Sequence, residues 1–372
     1  MKWIPIALCL CTFAAQARSA EKPAPVVALT PKEIADGWIV LFDGQSKFGW
    51  LSGGDVKLEA GVLILSGGKS GQMTSTTPMP LSFELLAEGK WIGSGGSSII
   101  VGGNGASLPA GEWGQFRMTC QPKGIGFSFT YERRDLGGEW SKPMGGAGGR
   151  RYPPFAQATA SIGSVAHIRW IKARPLATES LFNGKNLDGW KAFAGDPKLA
   201  AAKFAITADG ELSVKNGPGG LLTERQFDDF ILQFECKTLG CGAAGGALFR
   251  CADGHYQHGY EARIHNVFVG DPARPADFGT GAIYQLAKAR KVVSCDGEWF
   301  TMTVAAFGPH VATWVNGYQT TDWNDRRQPN ADPRQGLRTA KGTLAFHGID
   351  PTTDLLFRNI RIAEIPRPPV RK

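Results

Sequence analysis

Three residues with ionisable side chains stand at alternate positions in the stretch 259–265, namely Glu261, Arg263 and His265. Successive side chains of a β-strand point to opposite faces, so a strand here places an acid, a cation and an imidazole side by side. Such a set can transfer protons and stabilise a developing negative charge. We therefore predict that this strand forms the floor of a binding or catalytic groove. The alternative is an edge strand with a solvated charged face, which protects a sheet against aggregation.

Four further residues are candidates for the same groove because of the predicted strands on which they lie. Arg250 and Tyr284 each end a short apolar stretch that is typical of a strand. His347 lies in a third such stretch, and Asp350 follows it closely. For His347 two interpretations stay open, a site residue and an imidazole satisfied in the core or on a loop.

The composition favours short strands and turns over helices. The 372 residues include 49 glycines and 23 prolines, and long runs with helical periodicity are missing. The net charge of +8 comes from scattered Lys and Arg residues, without a basic run interleaved with aromatic residues. We therefore predict no binding to nucleic acid. The length is sufficient for two domains of ordinary size.

A series of short motifs occurs twice, in the same order. Phe42 and Phe182 are 182 − 42 = 140 residues apart, and Trp50 and Trp190 are separated by 190 − 50 = 140 residues as well. The further matched pairs are Gly61-Val62-Leu63 with Gly210-Glu211-Leu212, Leu81-Ser82-Phe83-Glu84 with Leu232-Gln233-Phe234-Glu235, Gly95-Gly96 with Gly245-Gly246, and Gly111-Glu112-Trp113 with Gly297-Glu298-Trp299. A collinear series of this kind indicates two tandem copies of one domain. Short strands between turn residues indicate an all-β fold, a β-sandwich or jelly roll, for residues 36–175 and again for 179–366.

The two predicted copies differ in length at one place. Gly96 to Glu112 spans 112 − 96 = 16 residues, whereas Gly246 to Glu298 spans 298 − 246 = 52, so the second copy has 52 − 16 = 36 more. The additional segment contains the strand with Glu261. Since the first copy closes its sandwich without this segment, the fold alone does not require it, and added segments of this kind usually carry function.

The N-terminus has the pattern of a cleavable secretion signal over residues 1–17. Lys2 provides the positive start, 3–15 is an apolar run too short to remain in a bilayer, and Ala15-Gln16-Ala17 fits the cleavage pattern. Residues 18–35 are rich in Pro and Ala and are predicted to be a linker. The sequence thus predicts a periplasmic or secreted protein without a membrane span.

Four cysteines lie close together in the second copy: Cys236, Cys241, Cys251 and Cys295. In an oxidising compartment one or two disulfides among them are expected. Their spacing is not that of a zinc site, and the pairing stays open.

Several motifs of the second copy together indicate a family: Leu181-Phe182-Asn183-Gly184 with Gly189-Trp190, Gly259-Tyr260-Glu261, Thr280-Gly281-Ala282-Ile283-Tyr284, Gly297-Glu298-Trp299, Trp314-Val315-Asn316-Gly317 and Phe357-Arg358-Asn359-Ile360. With these motifs, residues 179–365 resemble the 3-keto-disaccharide hydrolase family, long known as a domain of unknown function. The first copy matches only the ends and the scaffold, as a degenerate copy would. That family is similar in fold to concanavalin-like jelly rolls. The resemblance implies secreted or periplasmic sugar processing, with an oligosaccharide or glycoside as substrate.

The chemistry that the resemblance implies gives a single carboxylate a role. A ketone at C3 of a sugar acidifies the proton at C2, a base removes this proton, the C1 substituent leaves from the resulting enolate, and water then adds. We assign Glu261 or His265 as the base and Tyr284 or His347 as the acid for the leaving group.

Binding of the substrate and stabilisation of the enolate are assigned to Arg250 and Arg263, with Asp350 as a further substrate-binding residue. A divalent metal could replace the arginines as the electrophile, although the sequence shows no clear set of ligands. The rival interpretations are a non-catalytic carbohydrate-binding module and a surface adhesion module.

Overall fold

The computed structural model describes residues 27–365 apart from 70, 102–103, 124–125, 137, 140, 143, 149–154, 253, 331 and 333–334. The predicted signal peptide, 1–17, lies outside the described residues, and so do the first part of the predicted linker, 18–26, and residue 366. In the remaining part of that linker, Pro31–Ala35 forms a short helix, α1, which begins with a capping box between Thr30 and Glu33. Within the described ranges, none of the helices has the length and apolar character needed to span a bilayer.

The prediction of an all-β fold is confirmed. Over the described residues the first half of the chain contains thirteen strands: β1 Ile39–Phe42, β2 Trp50–Gly53, β3 Asp55–Glu59, β4 Val62–Ser66, β5 Gln72–Pro78, β6 Phe83–Gly93, β7 Ser97–Val101, β8 Asn104–Ser107, β9 Gly114–Lys123, β10 Gly126–Asp135, β11 Met144–Gly148, β12 Phe155–Ala160 and β13 Ser164–Pro175. The second half, as far as it is described, also contains thirteen: β14 Glu179–Ser180, β15 Trp190–Ala192, β16 Lys203–Ile206, β17 Leu212–Lys215, β18 Gly219–Phe227, β19 Phe230–Thr238, β20 Gly245–Cys251, β21 Tyr260–Ile264, β22 Phe300–Phe307, β23 His310–Val315, β24 Tyr318–Asn324, β25 Gly342–Gly348 and β26 Asp354–Glu364. Two turns of 3₁₀-helix, Gly67–Lys69 and Pro197–Leu199, complete the regular elements.

Each half is a sandwich of a large and a small antiparallel sheet, and the order of strands is the same in both. The large sheets run β11-β10-β9-β6-β13-β4-β3 and β24-β23-β22-β19-β26-β17-β16, and in each half the first strand pairs with the last. The small sheets run β2-β5-β12-β7-β8 and β15-β18-β25-β20-β21. Subtracting 13 from each number of the second half reproduces the order of the first. An origin of the two halves in one duplicated domain stays a prediction.

The additional residues of the second half lie between two strands that are neighbours in the chain. Residues 265–299 separate β21 from β22, whereas 108–113 separate β8 from β9 at the same place in the first half. This long connection returns along β21, where Ile283 forms an isolated bridge with Ala262. It therefore builds one wall beside the edge of the small sheet.

The large sheet of the second half packs against its own small sheet with one face and against the first half with part of the other. One face packs against its own small sheet around Phe234, Phe346 and Phe357. On the other face, five apolar residues belong to the buried core of the first half: Ile231, Ala305, Ala312, Trp314 and Ile365. The indole N–H of Trp314 donates to the carbonyl oxygen of Val40 over 3.0 Å. The core of the first sandwich thus extends onto the outer face of the second, whose own core is a separate cluster between its two sheets.

The cysteines of the described chain are all free. Cys120, Cys236 and Cys251 are buried, and Cys241 and Cys295 are exposed. The disulfide expected within the second half is therefore not formed in this structure.

Candidate functional site

Strand β21 places two of its three predicted site residues on one face. Tyr260, Ala262 and Ile264 belong to the apolar core, so Glu261 and Arg263 point to the opposite side of the small sheet, as the alternation predicts. The strand forms the edge of that sheet beside β20. The outer face of the small sheet is therefore the surface on which a site can form.

His347 lies on β25 between two glycines of the neighbouring strands. Gly246 on β20 and Gly220 on β18 are its cross-strand partners. A Cβ atom at 246 would lie 2.8 Å from Cγ of Glu261, and one at 220 would lie 2.6 Å from a ring carbon of Tyr256. The two glycines thus leave the space in which the Glu261 carboxylate and the Tyr256 ring approach the imidazole.

Charged side chains form a connected row across this face. Nη1 of Arg263 donates to Oε1 of Glu261 over 3.1 Å, and Nη2 pairs with the carboxylate of Asp277. Nε2 of His347 lies 3.4 Å from the same Oε1 of Glu261, at ion-pair distance but without the angles of a hydrogen bond. The ring of Tyr284 covers the guanidinium of Arg263, with 4.2 Å from Cζ to the ring centroid.

Two members of this row keep unused polar atoms. Both ring nitrogens of His347 and Nε of Arg263 are buried without a hydrogen-bond partner in the described part of the chain. A buried polar group without a partner costs stability, and such groups in native structures usually have a functional reason. His347 and Arg263 therefore have hydrogen-bonding capacity to offer to a ligand.

The pKa of Glu261 results from opposing effects. Burial raises the pKa of this carboxyl, but the nearby side chains of His347 and Arg263 outweigh burial and hold the pKa below its usual value of 4.5. The carboxylate is consequently ionised at neutral pH, which is the state that a base requires.

These groups line a pocket of about 280 Å³ on the outer face of the small sheet. Its described lining consists of Leu248, Gln257, Gly259, Tyr260, Glu261, Arg263, Tyr284, Gln285, Leu286, His347 and Ile349. An apolar floor with a few convergent polar groups is the usual form of a small-molecule site. Four of the predicted site residues, Glu261, Arg263, Tyr284 and His347, are thereby brought together.

Two predicted site residues lie beside the pocket rather than in its described lining. His265 follows the end of β21, its backbone N–H donates to Oγ1 of Thr280, and its Nδ1 lies 3.3 Å from the carbonyl oxygen of Ala276. Asp350 accepts hydrogen bonds from the backbone N–H and hydroxyl of Thr352 and so stabilises the turn after β25. Their expected roles as base and substrate ligand are not supported by these positions.

Arg250 was wrongly predicted to lie at the groove. Its side chain is fully buried and pairs with Asp229 over 2.8 Å, and it also donates to the carbonyl oxygens of Asp228, Gly308 and Arg338. The physical reason is a β-bulge on β20, where the register with β25 shifts and Arg250 has a φ of 52°. The bulge interrupts the alternation, so the guanidinium turns away from the face that carries Glu261.

Asp277 belongs to the site although its sequence position gave no reason to select it. It reaches Arg263 from the long connection, in which Asp277 and Phe278 have φ values of 42° and 68°. Such left-handed conformations are uncommon outside glycine and often occur at functional sites. Gln257 and Gln285, which complete the polar lining, lie in loops without a sequence pattern that would have identified them.

A comparison with known families decides the assignment. Residues 177–363, which are 187 of the 372 residues and so half of the chain, match the model of the 3-keto-alpha-glucoside-1,2-lyase-like domain. The chain belongs to this family. The resemblance inferred from the sequence motifs is thereby confirmed, and the lyase-like domain contains every described residue of the pocket lining.

Several solved structures are similar to parts of the chain. Two are candidate glycosyl hydrolases from Parabacteroides distasonis. The first is 20% identical, and the match covers 51% of this chain and 94% of the other chain with a TM-score of 0.42. The second is 25% identical, and the match covers 51% of this chain and 100% of the other chain with a TM-score of 0.39. A third is the carbohydrate-binding module CBM66 from Bacillus subtilis, 15% identical over 47% of this chain and 96% of its own, with a TM-score of 0.35. None of the curated proteins matches the chain.

No group of three or more His, Cys, Asp or Glu side chains that could hold a metal ion occurs among the described residues of the lyase-like domain or of the first half. The divalent metal considered from the sequence stays a prediction.

Because the pKa of Glu261 is lowered, we expect its contribution to the stability of the lyase-like domain to depend on pH in the acidic range. Because the folded pKa lies below 4.5, the ionised carboxylate stabilises the folded state above that pH, and the contribution is lost as the pH falls through the folded pKa. We expect the difference in unfolding free energy between the wild type and Glu261→Gln to shrink below about pH 4.5, as measured by urea unfolding at a series of pH values. A difference that stays constant or grows down to pH 3 would contradict this interpretation.

Proposed function

We propose that this protein cleaves 3-keto-glycosides by abstraction of the C2 proton, elimination of the C1 substituent and addition of water. Membership of the 3-keto-alpha-glucoside-1,2-lyase-like family relates the chain to sugars. The observation that carries the proposal is the buried contact of Glu261 with both Arg263 and His347 in one pocket. This set provides a base, a stabiliser of negative charge and a proton donor within reach of one small ligand.

In the first step the Glu261 carboxylate takes the proton from C2, and the electron pair of the C–H bond forms an enolate with the C3 carbonyl. Arg263 is placed to stabilise the negative charge on the C3 oxygen. Protonation of Glu261 removes the charge that Nη1 of Arg263 faces at 3.1 Å, and Nε of Arg263 has no partner in the described part of the chain. The guanidinium therefore becomes available at the moment when the enolate forms.

In the second step the electron pair of the enolate returns, the bond between C1 and the glycosidic oxygen breaks, and the leaving alcohol takes up a proton. We assign this proton to His347, whose ring nitrogens are uncommitted, whereas Tyr284 is placed to cover Arg263. Addition of water to the C1–C2 double bond then gives the free 3-keto sugar. The sum is one 3-keto-glycoside and one water converted to a 3-keto sugar and an alcohol.

The experiment compares 3-keto-glucosides that carry an alkyl or a 4-nitrophenyl aglycone with the corresponding ordinary glucosides. We expect release of the aglycone only from the 3-keto substrates, and incorporation of deuterium at C2 in deuterated water. For His347→Gln we expect the rate of aglycone release to fall by about 10²-fold with the alkyl substrate. The rate with the 4-nitrophenyl substrate should fall much less, because 4-nitrophenolate is a good leaving group and needs no acid. Rates are followed by product formation.

Tyr284→Phe is the matched comparison, because both residues line the pocket. If Tyr284→Phe, and not His347→Gln, loses much more rate with the alkyl substrate than with the 4-nitrophenyl substrate, Tyr284 is the acid and His347 is not. Equal cleavage of 3-keto and ordinary glucosides would exclude the proposed chemistry. Binding of sugars without any turnover would favour the carbohydrate-binding module.

A further inference from the structure

A second pocket, of about 260 Å³, lies where the two halves of the chain meet. We call it the junction pocket. Its described lining comes from 27–48 in the first half and from 290–319 in the second, and it shares no described residue with the pocket that contains Glu261. Most of the lining is apolar, with Leu29, Ile34, Val40, Leu41, Val293 and Val315.

Arg290 carries the only positive charge among the described lining residues of the junction pocket. Its guanidinium lies over two aromatic rings, with 4.2 Å from Cζ to the ring centroid of Phe48 and 5.2 Å to that of Tyr318. Nη2 donates to Oγ of Ser46 over 3.4 Å. In the described part of the chain no carboxylate forms an ion pair with this guanidinium. The rings therefore hold a cation in place that has no counter-charge in contact with it.

Asp43 is the other charged residue of the described lining, and its carboxylate is occupied locally. Oδ1 accepts hydrogen bonds from the backbone N–H groups of Gln45 over 2.8 Å and of Ser46 over 3.3 Å. Bonds of this kind stabilise a turn, here the one that follows β1. The positive charge of Arg290 is thus the one that an incoming ligand can compensate.

Gln319 adds a buried amide that has no hydrogen-bond partner in the described ranges. The residue is only 7% exposed, and it lines the junction pocket. A Cβ atom at Gly49 would lie 2.9 Å from Nε2 of Gln319, so the glycine leaves the space that this amide occupies. Buried amides in native structures normally have partners, and an amide can both donate and accept. Gln319 therefore has hydrogen-bonding capacity to offer to a ligand in this pocket.

The size of the junction pocket and its lining define the kind of ligand that fits. An apolar cavity of about 150 Å³ accommodates benzene. A pocket of about 260 Å³ consequently has room for one such ring with a short chain. A carboxylate at the end of that chain matches the fork of a guanidinium, because the two groups form parallel hydrogen bonds.

We propose that the junction pocket binds a small monocarboxylate with an apolar body, for which 3-phenylpropanoate is a suitable probe. The carboxylate pairs with Arg290 and accepts a hydrogen bond from Nε2 of Gln319, while the ring packs against Leu29, Val40 and Val315. A ligand in this position contacts both halves of the chain, so its binding stabilises the contact between them. The site is independent of the proposed sugar chemistry, because it shares no described residue with the other pocket.

The test titrates the full chain with 3-phenylpropanoate by isothermal titration calorimetry. We expect saturable binding of one ligand per chain. The affinity for 3-phenylpropanamide, which has nearly the same shape but no charge, should be about tenfold lower. Arg290→Met keeps an apolar chain against the two rings and should also weaken binding of the acid by about tenfold. Asp43→Asn removes a negative charge from the lining and should strengthen binding by about threefold.

Arg263→Met is the matched control, because Arg263 likewise lies against an aromatic ring but lines the pocket that contains Glu261. Its affinity for the acid is expected to equal that of the wild type. Binding that is lost in Arg263→Met and kept in Arg290→Met would place the acid in the other pocket and overturn the proposal. Equal affinity for the acid and the amide, or no saturable binding up to about 10 mM, would overturn it as well. These last two measurements use the wild-type chain and so do not depend on the folding of any variant.

Discussion

Replacement of Glu261 by glutamine is expected to lower kcat/KM for a 3-keto-glucoside by about 10³-fold. The amide has nearly the same shape as the carboxylate and can still accept a hydrogen bond from Arg263, but it cannot take the proton from C2. Exchange of deuterium into C2 should fall by the same factor, because both measurements depend on the first step. Initial rates over a range of substrate concentrations provide the measurement, together with a check that the variant is folded.

Glu224→Gln is the matched control. The substitution is chemically the same and lies on β18 of the same sheet, but the side chain of Glu224 is exposed. Its kcat/KM is expected to equal that of the wild type. A Glu261→Gln protein within threefold of the wild type would remove Glu261 as the base. If exchange at C2 persists while release of the aglycone is lost, Glu261 acts in the second step instead.

Replacement of Arg250 by methionine is expected to reduce the unfolding free energy by about 3–5 kcal/mol. The change leaves the buried carboxylate of Asp229 without its cation, and three backbone carbonyl oxygens lose the N–H donors that satisfy them. The same oxygen of Asp229 also accepts a hydrogen bond from the backbone N–H of Gly308 over 2.9 Å, but this neutral donor does not replace the charge of the guanidinium. Urea unfolding followed by tryptophan fluorescence measures the loss. A residue that bound substrate directly would instead change KM and leave the unfolding transition in place.

Arg358→Met provides the control for this stability effect. Arg358 pairs with Glu235 over 2.7 Å, but 40% of its side chain is exposed. Exposed ion pairs contribute little, so a loss of no more than about 1 kcal/mol is expected. If Arg250→Met destabilises the protein no more than Arg358→Met does, the structural role of Arg250 is wrong.

The part of the site that follows a regular strand could be predicted from the sequence. Glu261 and Arg263 share a face because β21 is regular over Tyr260–Ile264, and strict alternation then fixes where each side chain points. The alternation of side chains does not give the right positions where the strands stop being regular. His265 lies beyond the last residue of the strand, and Arg250 lies at a bulge that reverses the expected direction.

The remaining part of the site depends on contacts between distant positions. His347 is 347 − 261 = 86 residues from Glu261, and their approach follows from the register in which Gly246 pairs with both His347 and Arg263. Periodicity within one strand carries no information about the register between strands. Asp277 is likewise positioned by the backbone of a loop, and loop conformations of this kind depend on packing rather than on a repeating pattern.

The apolar contact between the two sandwiches limits how this chain can be divided. The family match begins at 177, yet Trp314 and its apolar neighbours on the large sheet are covered by the first half. Truncation at that boundary would expose these side chains to water and would leave the indole N–H of Trp314 without the carbonyl of Val40. A freshly exposed apolar patch of this kind promotes self-association. The region that defines the family is therefore not an autonomous unit in this protein, and the first half acts as its permanent cover whether or not it binds anything itself.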